Sequence, residues 1–216
     1  IGAADVWIGN PNAPDKPFRA MLIIRNDAGY LRLSELLTEA YVGKDRNIHH
    51  AELNPEWLEN GDNSGLICLS GAHYGEVGVN LLNGNEDAAR AAALKYAAWF
   101  PDAFYLELQR LPERPEWEAC VSGSVKLAEE LGLPVVATHP TQFMSRDDFN
   151  AHEARVCIAG GWVLTDKKRP RDFTPSQFFI PPETMAERFA DLPEALENTV
   201  EIAKRCNLHI TLGKNF

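Results

Sequence analysis

Residues Leu133 to Phe173 read LPVVATHPTQFMSRDDFNAHEARVCIAGGWVLTDKKRPRDF, and this stretch indicates the fold of the chain. It opens with an apolar run, Leu133 to Ala137, of the kind that forms a buried strand, and polar residues follow at once. In α/β barrels the carboxyl end of a strand is where catalytic groups lie. The stretch therefore predicts a strand-end site in an α/β protein.

The rest of the chain repeats this alternation of strand and helix. Apolar runs predict strands at Asp5–Ile8, Arg19–Ile24, Leu66–Leu69, Ala103–Leu108, Leu133–Ala137 and, weakly, Leu208–Leu212. Helical patterns are found at Gly29–Val42, Glu86–Phe100, Pro115–Leu131, Asp147–Gly160 and Pro182–Arg205. Such alternation is typical of parallel βαβ units, so we predict an α/β fold with a closed or open α/β sheet.

Two local patterns refine the helix ends. Ser145 and Asp148 have the spacing of a capping box, in which a hydroxyl and a carboxylate bind free backbone N–H groups. The C-terminal helical part, residues 183–206, contains Pro193, which breaks a helix interior but fits a first turn. We therefore predict two helices there, joined near Asp191.

Length and composition limit the class of protein. The 216 residues are 45% apolar, which suits one globular domain over residues 1–216. The formal charge of −10 disfavours a free-standing nucleic-acid binder, so any DNA contact must be local. The four cysteines lie far apart, as in reduced core thiols. Because the sequence has no long apolar span and no signal peptide, it predicts a cytoplasmic protein without membrane contact.

Five blocks, in order along the chain, resemble the PHP (polymerase and histidinol phosphatase) domain of the replicative bacterial DNA polymerase III alpha subunits, and the quoted stretch resembles it too. The blocks are IGAADVWI (1–8), NDAGYLRLSELLT (26–38), LICLSGAHYGE (66–76), DAFYLELQR (102–110) and LPEALENTVEIAKRCN (192–207). Ordered blocks over nearly the whole chain are more specific than one short motif. The resemblance implies a distorted, TIM-like (β/α)7 barrel.

The resemblance also implies that the chain is an incomplete barrel. PHP domains open with a His-x-Asp strand and a second strand that ends in Thr-Asp, and the sequence matches neither. We therefore expect the chain to begin at about the third strand of the family. A barrel without its first strands has unpaired edges, so we expect such a piece to associate or aggregate.

Active PHP domains are expected to hold two or three metal ions that bind a phosphate and generate hydroxide. In this chain the matching ligand positions are degenerate. The Asn-Asp-x-His pattern at the strand end is His139-Pro140-Thr141-Gln142, so its Asp and His are replaced by Pro140 and Gln142. The remaining matched positions hold Asp5 for a glutamate, Asp62 for a histidine and Ala72 for a cysteine. Because such a site needs many His, Asp or Glu ligands, we predict no bound metal and no catalytic residue.

Several histidines remain to be interpreted. His139 could serve as a single polar site residue, but a backbone-bonded residue at the strand end is the favoured interpretation. His152 lies on a predicted helix and is better explained as packing under the barrel mouth than as a ligand. We interpret His73 as a loop residue. His49 and His50 point in opposite directions in extended backbone, so a shared metal is not expected.

The loop from Gly161 to Pro182 carries a basic run in an otherwise acidic chain. Its cations are Lys167, Lys168, Arg169 and Arg171. They could contact DNA phosphates or a partner protein, or form solvated pairs with neighbouring acids. The sequence leaves these alternatives open, and we favour protein docking or internal bracing.

The resemblance implies a part of a DNA-directed DNA polymerase of chromosome replication. Its polymerase palm, with Mg²⁺, would lie outside this chain, and the chain itself needs no cofactor. A degenerate PHP domain is expected to act as a scaffold that docks the proofreading exonuclease subunit beside other holoenzyme subunits, with primer-template DNA bound by the parent protein. The alternative is a PHP phosphoesterase or 3′–5′ exonuclease with residual activity.

Overall fold

A computed structural model describes residues 2–44, 46–47, 51–210 and 213. Over these residues the chain forms five strands and eight α-helices. The strands are β1 (Ala3–Ile8), β2 (Phe18–Ile24), β3 (Leu66–Leu69), β4 (Phe104–Gln109) and β5 (Val135–Thr138). The helices are α1 (Asp27–Val42), α2 (Pro55–Glu59), α3 (Glu76–Leu82), α4 (Glu86–Trp99), α5 (Trp117–Leu131), α6 (Phe149–Gly160), α7 (Pro182–Arg188) and α8 (Pro193–Arg205).

The strands form one mixed sheet in the order β1-β2-β3-β4-β5. β3, β4 and β5 are parallel, but β1 and β2 pair antiparallel to each other, and β2 pairs antiparallel to β3. The prediction of parallel units throughout is therefore wrong for the first two strands. Only residues 9–17 connect β1 to β2, and a parallel crossover needs about a dozen residues or more, usually with a helix. The α/β class is confirmed.

Most predicted elements are found within one or two residues of their expected ends. Two helices were not predicted, the five-residue α2 and the seven-residue α3, because segments this short carry little periodicity. The predicted weak strand at Leu208–Leu212 is absent at residues 208–210, and its last two residues lie outside the described part, as do His49 and His50.

Local chemistry sets the ends of the helices that follow the quoted strand. The capping box is present, since both the backbone N–H and the hydroxyl of Ser145 donate to Asp148 Oδ2 at 2.9 Å. The predicted break in the C-terminal part is also present, because α7 ends at Arg188 and α8 begins at Pro193. None of the helices in the described residues has the length and apolar character needed to span a membrane.

The core lies where the helices cover the sheet. Every residue of β3 and β4 is buried, and α8 packs on β5, where Ala195 and Ile202 are buried. The side-chain amide of Asn198 donates to Val135 O at 2.8 Å and joins this helix to the sheet edge. Because β3, β4 and β5 are parallel neighbours, their carboxyl ends lie together at one end of the sheet.

Candidate functional site

A cavity of about 380 Å³ opens at the carboxyl ends of the parallel strands. Polar side chains reach it from one face of the sheet, because alternate residues of a strand share a face. Those residues are Asp5 on β1, Arg19 on β2, Glu107 and Gln109 on β4, and Thr138 on β5. The strand-end residues His139 to Gln142 complete the polar wall.

The centre of the polar wall is a buried carboxylate, Glu107, which is 1% exposed. Its Oε1 accepts a hydrogen bond from Thr138 Oγ1 at 2.5 Å and another from Gln109 Nε2 at 3.0 Å. Burial raises the pKa of Glu107, although the charge of Arg19 and the two hydrogen bonds oppose that shift. The group thus ties β4 to β5 directly below the strand-end residues.

At the mouth of the cavity the only acid on β1 is already paired. Arg19 donates to Asp5 Oδ1 from Nη2 at 2.8 Å and from Nε at 3.0 Å. The charge of this guanidinium is therefore compensated. Asp5 itself lines the cavity.

The strand-end stretch is held by backbone and side-chain hydrogen bonds. His139 Nε2 donates to Phe178 O at 2.9 Å, and its Nδ1 accepts from Arg188 Nη1 at 3.2 Å. Burial, together with the positive charge of Arg188, lowers the pKa of His139. Gln142 N donates to Gln177 O at 2.8 Å. His139 is thus a neutral connector between β5 and the C-terminal part.

The structure does not bring all five degenerate positions together. Pro140 and Gln142 line the cavity beside Asp5. Ala72 is buried next to His73 and has no ligating atom in its side chain. Asp62 precedes β3 at the opposite end of the strand, where its carboxylate is exposed and accepts from Ser64 N at 2.9 Å. The hydrogen bond to Ser64 lowers the pKa of Asp62.

The donor set does not fit a multinuclear metal centre. Across the described ranges, three or more His, Cys, Asp or Glu side chains nowhere converge in a way that could hold an ion. Two of the acids in the cavity already have partners. Asp5 is paired with Arg19, and Glu107 accepts hydrogen bonds from Thr138 and Gln109. We derive no metal-dependent step from these residues.

His73 is a cavity residue that the sequence interpretation placed in a loop. It lies on a 3₁₀ turn directly after β3, is 8% exposed, and stacks on the Trp117 ring with centroids 3.6 Å apart. The turn depends on Gly71 at φ +80°, where an added Cβ would lie 2.0 Å from Arg19 O. Glu107 was also missed, although an acid within the apolar run of β4 could have indicated it.

His152 lies outside this cavity. It is buried on α6, between the rings of Phe143 at 5.2 Å and Phe173 at 4.6 Å. Its Nδ1 lies 3.3 Å from Arg155 Nη2. Burial is the main cause of its lowered pKa. The structure therefore places His152 in a packing position beneath the strand-end loop.

The four cations of the basic loop have different environments. Lys167, Lys168 and Arg171 are exposed, whereas Arg169 is buried and forms an ion pair of 2.5 Å with the buried Glu153 on α6. Its guanidinium also donates to Leu164 O at 3.2 Å. Arg169 therefore braces the loop internally, and the contacts predicted for Lys167, Lys168 and Arg171 stay a prediction.

Comparison with known proteins identifies the family of the chain. A family model described as "PHP domain" matches residues 1–111. This chain belongs to the PHP domain family. Over all 216 residues the chain is 98% identical to a DNA polymerase III subunit alpha of Neisseria meningitidis, of which it covers 19%. It is 45% identical over 217 aligned positions to the subunit of the same name from Pseudomonas fluorescens, covering 18% of that protein. The Escherichia coli K12 subunit is 44% identical over 195 residues, which is 90% of this chain and 17% of that relative.

The buried imidazole of His73 predicts that the stability of the fold depends on pH. Burial, followed by the charges of Arg19 and Arg114, lowers the pKa of His73 to about 4. Between pH 6.5 and 4 the unfolded chain binds a proton that the folded chain does not, so folding stability is full above pH 6.5 and falls as the pH drops. We expect this group to account for a loss on the order of 3 kcal/mol by pH 4.

Urea unfolding of the wild type and His73→Phe between pH 4 and 7.5 measures this effect. The phenyl ring keeps the contact with Trp117 but does not titrate, so the variant should lose less stability on acidification. Carboxylates such as Asp191, whose pKa Arg110 lowers, titrate equally in both proteins. Parallel pH profiles for the two proteins would contradict the assignment.

Proposed function

We propose that this chain is the PHP part of a DNA polymerase III alpha subunit, a DNA-directed DNA polymerase of chromosome replication. The similarity to subunits of that name over every residue supports the proposal. The chain spans about a fifth of the length of those relatives. Polymerase activity, its Mg²⁺ and its primer-template DNA therefore belong to the rest of the parent protein, in the cytoplasm. The five described strands would form part of an incomplete (β/α)7 barrel.

Within that parent, we infer a structural role for the PHP domain, as scaffold and docking module for the proofreading exonuclease subunit. The observation that carries this inference is the use of site groups as internal connections. Glu107 joins β4 to β5, Arg19 joins Asp5, and His139 joins the strand end to Arg188. Groups engaged in this way hold strands together and leave few ligands for a metal-bound phosphate.

The basic loop supports docking over DNA binding. Arg169 anchors the loop to α6, and three cations remain exposed on it. The net charge of −10 repels a DNA duplex except where a basic patch is shielded from the rest of the chain. A partner protein with an acidic surface can pair with a small basic patch. A partner such as the proofreading subunit fits this pattern.

The test changes Lys167, Lys168 and Arg171 to Ala in the full-length alpha subunit, with Arg169 left intact to preserve the loop. We expect about tenfold weaker binding of the proofreading subunit, because charges at the rim of an interface speed the association of the two proteins and contribute modestly to their affinity. Primer-template affinity, measured at two salt concentrations, should stay unchanged. A flatter salt dependence, by about one unit of slope per lost phosphate contact, would instead assign the loop to DNA.

The alternative, a PHP phosphoesterase or 3′–5′ exonuclease with residual activity, leads to a different result. Single-stranded DNA labelled at its 3′ end is incubated with Mn²⁺ or Zn²⁺ and either the wild-type alpha subunit or its Glu107→Gln variant. Under the structural role we expect equal, background hydrolysis from both proteins. Metal-dependent hydrolysis that falls at least tenfold in Glu107→Gln would establish the alternative.

A further inference from the structure

The strand-end cavity contains buried polar atoms that have no hydrogen-bond partner within the described part of the chain. They are Glu107 Oε2, Gln109 Oε1 and both ring nitrogens of His73. All three side chains line the same cavity, and each residue is less than one-tenth exposed. Buried polar groups are nearly always paired, so this concentration at one cavity points to a missing ligand.

The hydrogen bonds already present define what each free atom can do. Gln109 Nε2 donates to Glu107 Oε1 at 3.0 Å and to Thr138 Oγ1 at 2.9 Å, which leaves the amide oxygen as an acceptor. The second carboxylate oxygen of Glu107 is an acceptor as well. A neutral imidazole at His73 offers one N–H and one lone pair. A complementary ligand therefore presents at least two N–H or O–H donors and one acceptor.

Aromatic rings line other parts of the cavity. Trp7 and Phe173 contribute two of them, and Tyr74 and Trp117 lie against the imidazole of His73 at centroid distances of 4.1 and 3.6 Å. Such rings bind planar heterocycles by stacking, in addition to the area that they bury. An alkyl ammonium ion would supply donors, but it has neither a flat face nor an acceptor for His73.

The charges around the cavity disfavour phosphate. Among the described residues that line the cavity, Arg19 is the only lysine or arginine. Its guanidinium already forms an ion pair with Asp5 at 2.8 Å. Glu107 and Asp172 line the cavity too and would repel an anion. The ligand that fits is thus uncharged.

We propose that this cavity binds an unphosphorylated, amino-bearing nucleobase, supplied as a nucleoside. The two N–H bonds of the exocyclic amino group donate to Glu107 and Gln109, a ring nitrogen accepts from His73, and the flat face lies against the aromatic side chains. This site is independent of the docking role of the basic loop. It reuses a strand-end position for recognition without metal.

The test is calorimetric titration of the full-length alpha subunit with adenosine in EDTA, so that metal-dependent nucleotide binding elsewhere is suppressed. Adenosine should bind at micromolar to millimolar concentration. Uridine, which has no amino group, should bind several-fold more weakly, and so should adenosine 5′-monophosphate because of its charge. No heat of binding at millimolar adenosine, or monophosphate binding tighter than adenosine, would overturn the proposal.

Variants locate the binding. Thr138 and Gln109 both donate to Oε1 of Glu107, so in Glu107→Gln the amide oxygen keeps that place and an N–H₂ group replaces the free acceptor Oε2. Two donors then face each other, and the affinity for adenosine should fall at least about tenfold. Trp7→Ala removes one flat wall at a side chain that is 45% exposed, so it leaves the core intact and tests the site even if Glu107→Gln unfolds. Tyr41→Ala changes an aromatic side chain that is 67% exposed and lies outside the cavity, so it is the matched control and should bind as the wild type does. Wild-type affinity in Trp7→Ala, or in a folded Glu107→Gln, would refute the site.

Discussion

Replacing Arg169 by alanine is expected to lower the free energy of unfolding by about 3–5 kcal/mol. Arg169 and Glu153 are each only 6% exposed in their side chains, and the two charges are 2.5 Å apart. Removing the guanidinium leaves a carboxylate buried without its counter-charge, and that is the main source of the loss. Urea unfolding of this chain, followed by tryptophan fluorescence, measures it.

The neighbouring loop provides a matched control for this prediction. Lys168 is adjacent to Arg169 in the sequence, but its side chain is exposed. Lys168→Ala should therefore change the free energy of unfolding by no more than about 0.5 kcal/mol. Glu153→Gln should be nearly as harmful as Arg169→Ala because it strands the other charge. Equal, small effects of the three substitutions would show that the pair is solvated and that Arg169 is free to bind phosphate.

The second large effect is expected at Phe189, which is 0% exposed between α7 and α8. Phe189→Ala should cost about 3–5 kcal/mol, since it removes a buried aromatic ring and leaves a cavity. The Arg110 guanidinium lies 5.0 Å from the centre of that ring and binds Asp191 and Glu118. The substitution should therefore loosen the whole C-terminal part of the domain.

Phe179 serves as the control because the same substitution there acts on a side chain that is 65% exposed. Phe179→Ala should stay within about 0.5 kcal/mol of the wild type. Amide hydrogen exchange can follow the local consequence, with faster exchange in α7 and in the strand-end stretch that Arg188 joins through His139. Unchanged protection in Phe189→Ala would mean that α7 is held by other contacts.

Much of the local structure was predictable because its causes lie close together in the sequence. The capping box at Ser145, the break before Pro193 and the buried run of β5 each depend on a few neighbouring residues. Family membership was predictable for a different reason, since ordered blocks over the whole chain are a strong constraint. The strand end at His139 was also recognised as part of the site.

Strand direction was not predictable from the same patterns. The same apolar run is expected in a strand whether the neighbouring strand is parallel or antiparallel. The alternation of strands and helices therefore predicted parallel units where β1 and β2 pair antiparallel. Their short connection is the physical reason for the hairpin. The composition of the cavity was equally hidden, because Asp5, Glu107 and Thr138 come from distant segments that only the sheet register brings together.

By itself, the sequence determined the α/β class, most element ends and the family, because these follow from local patterns and from ordered blocks along the chain. Only the tertiary structure decided which charges are buried. It buried Arg169 against Glu153 and left Lys168 in solvent, although the two cations are adjacent in one basic run. It also enclosed Glu107 and His73 in one cavity with unpaired polar atoms. Burial depends on contacts between segments far apart in the chain, and no pattern of neighbouring residues contains that information.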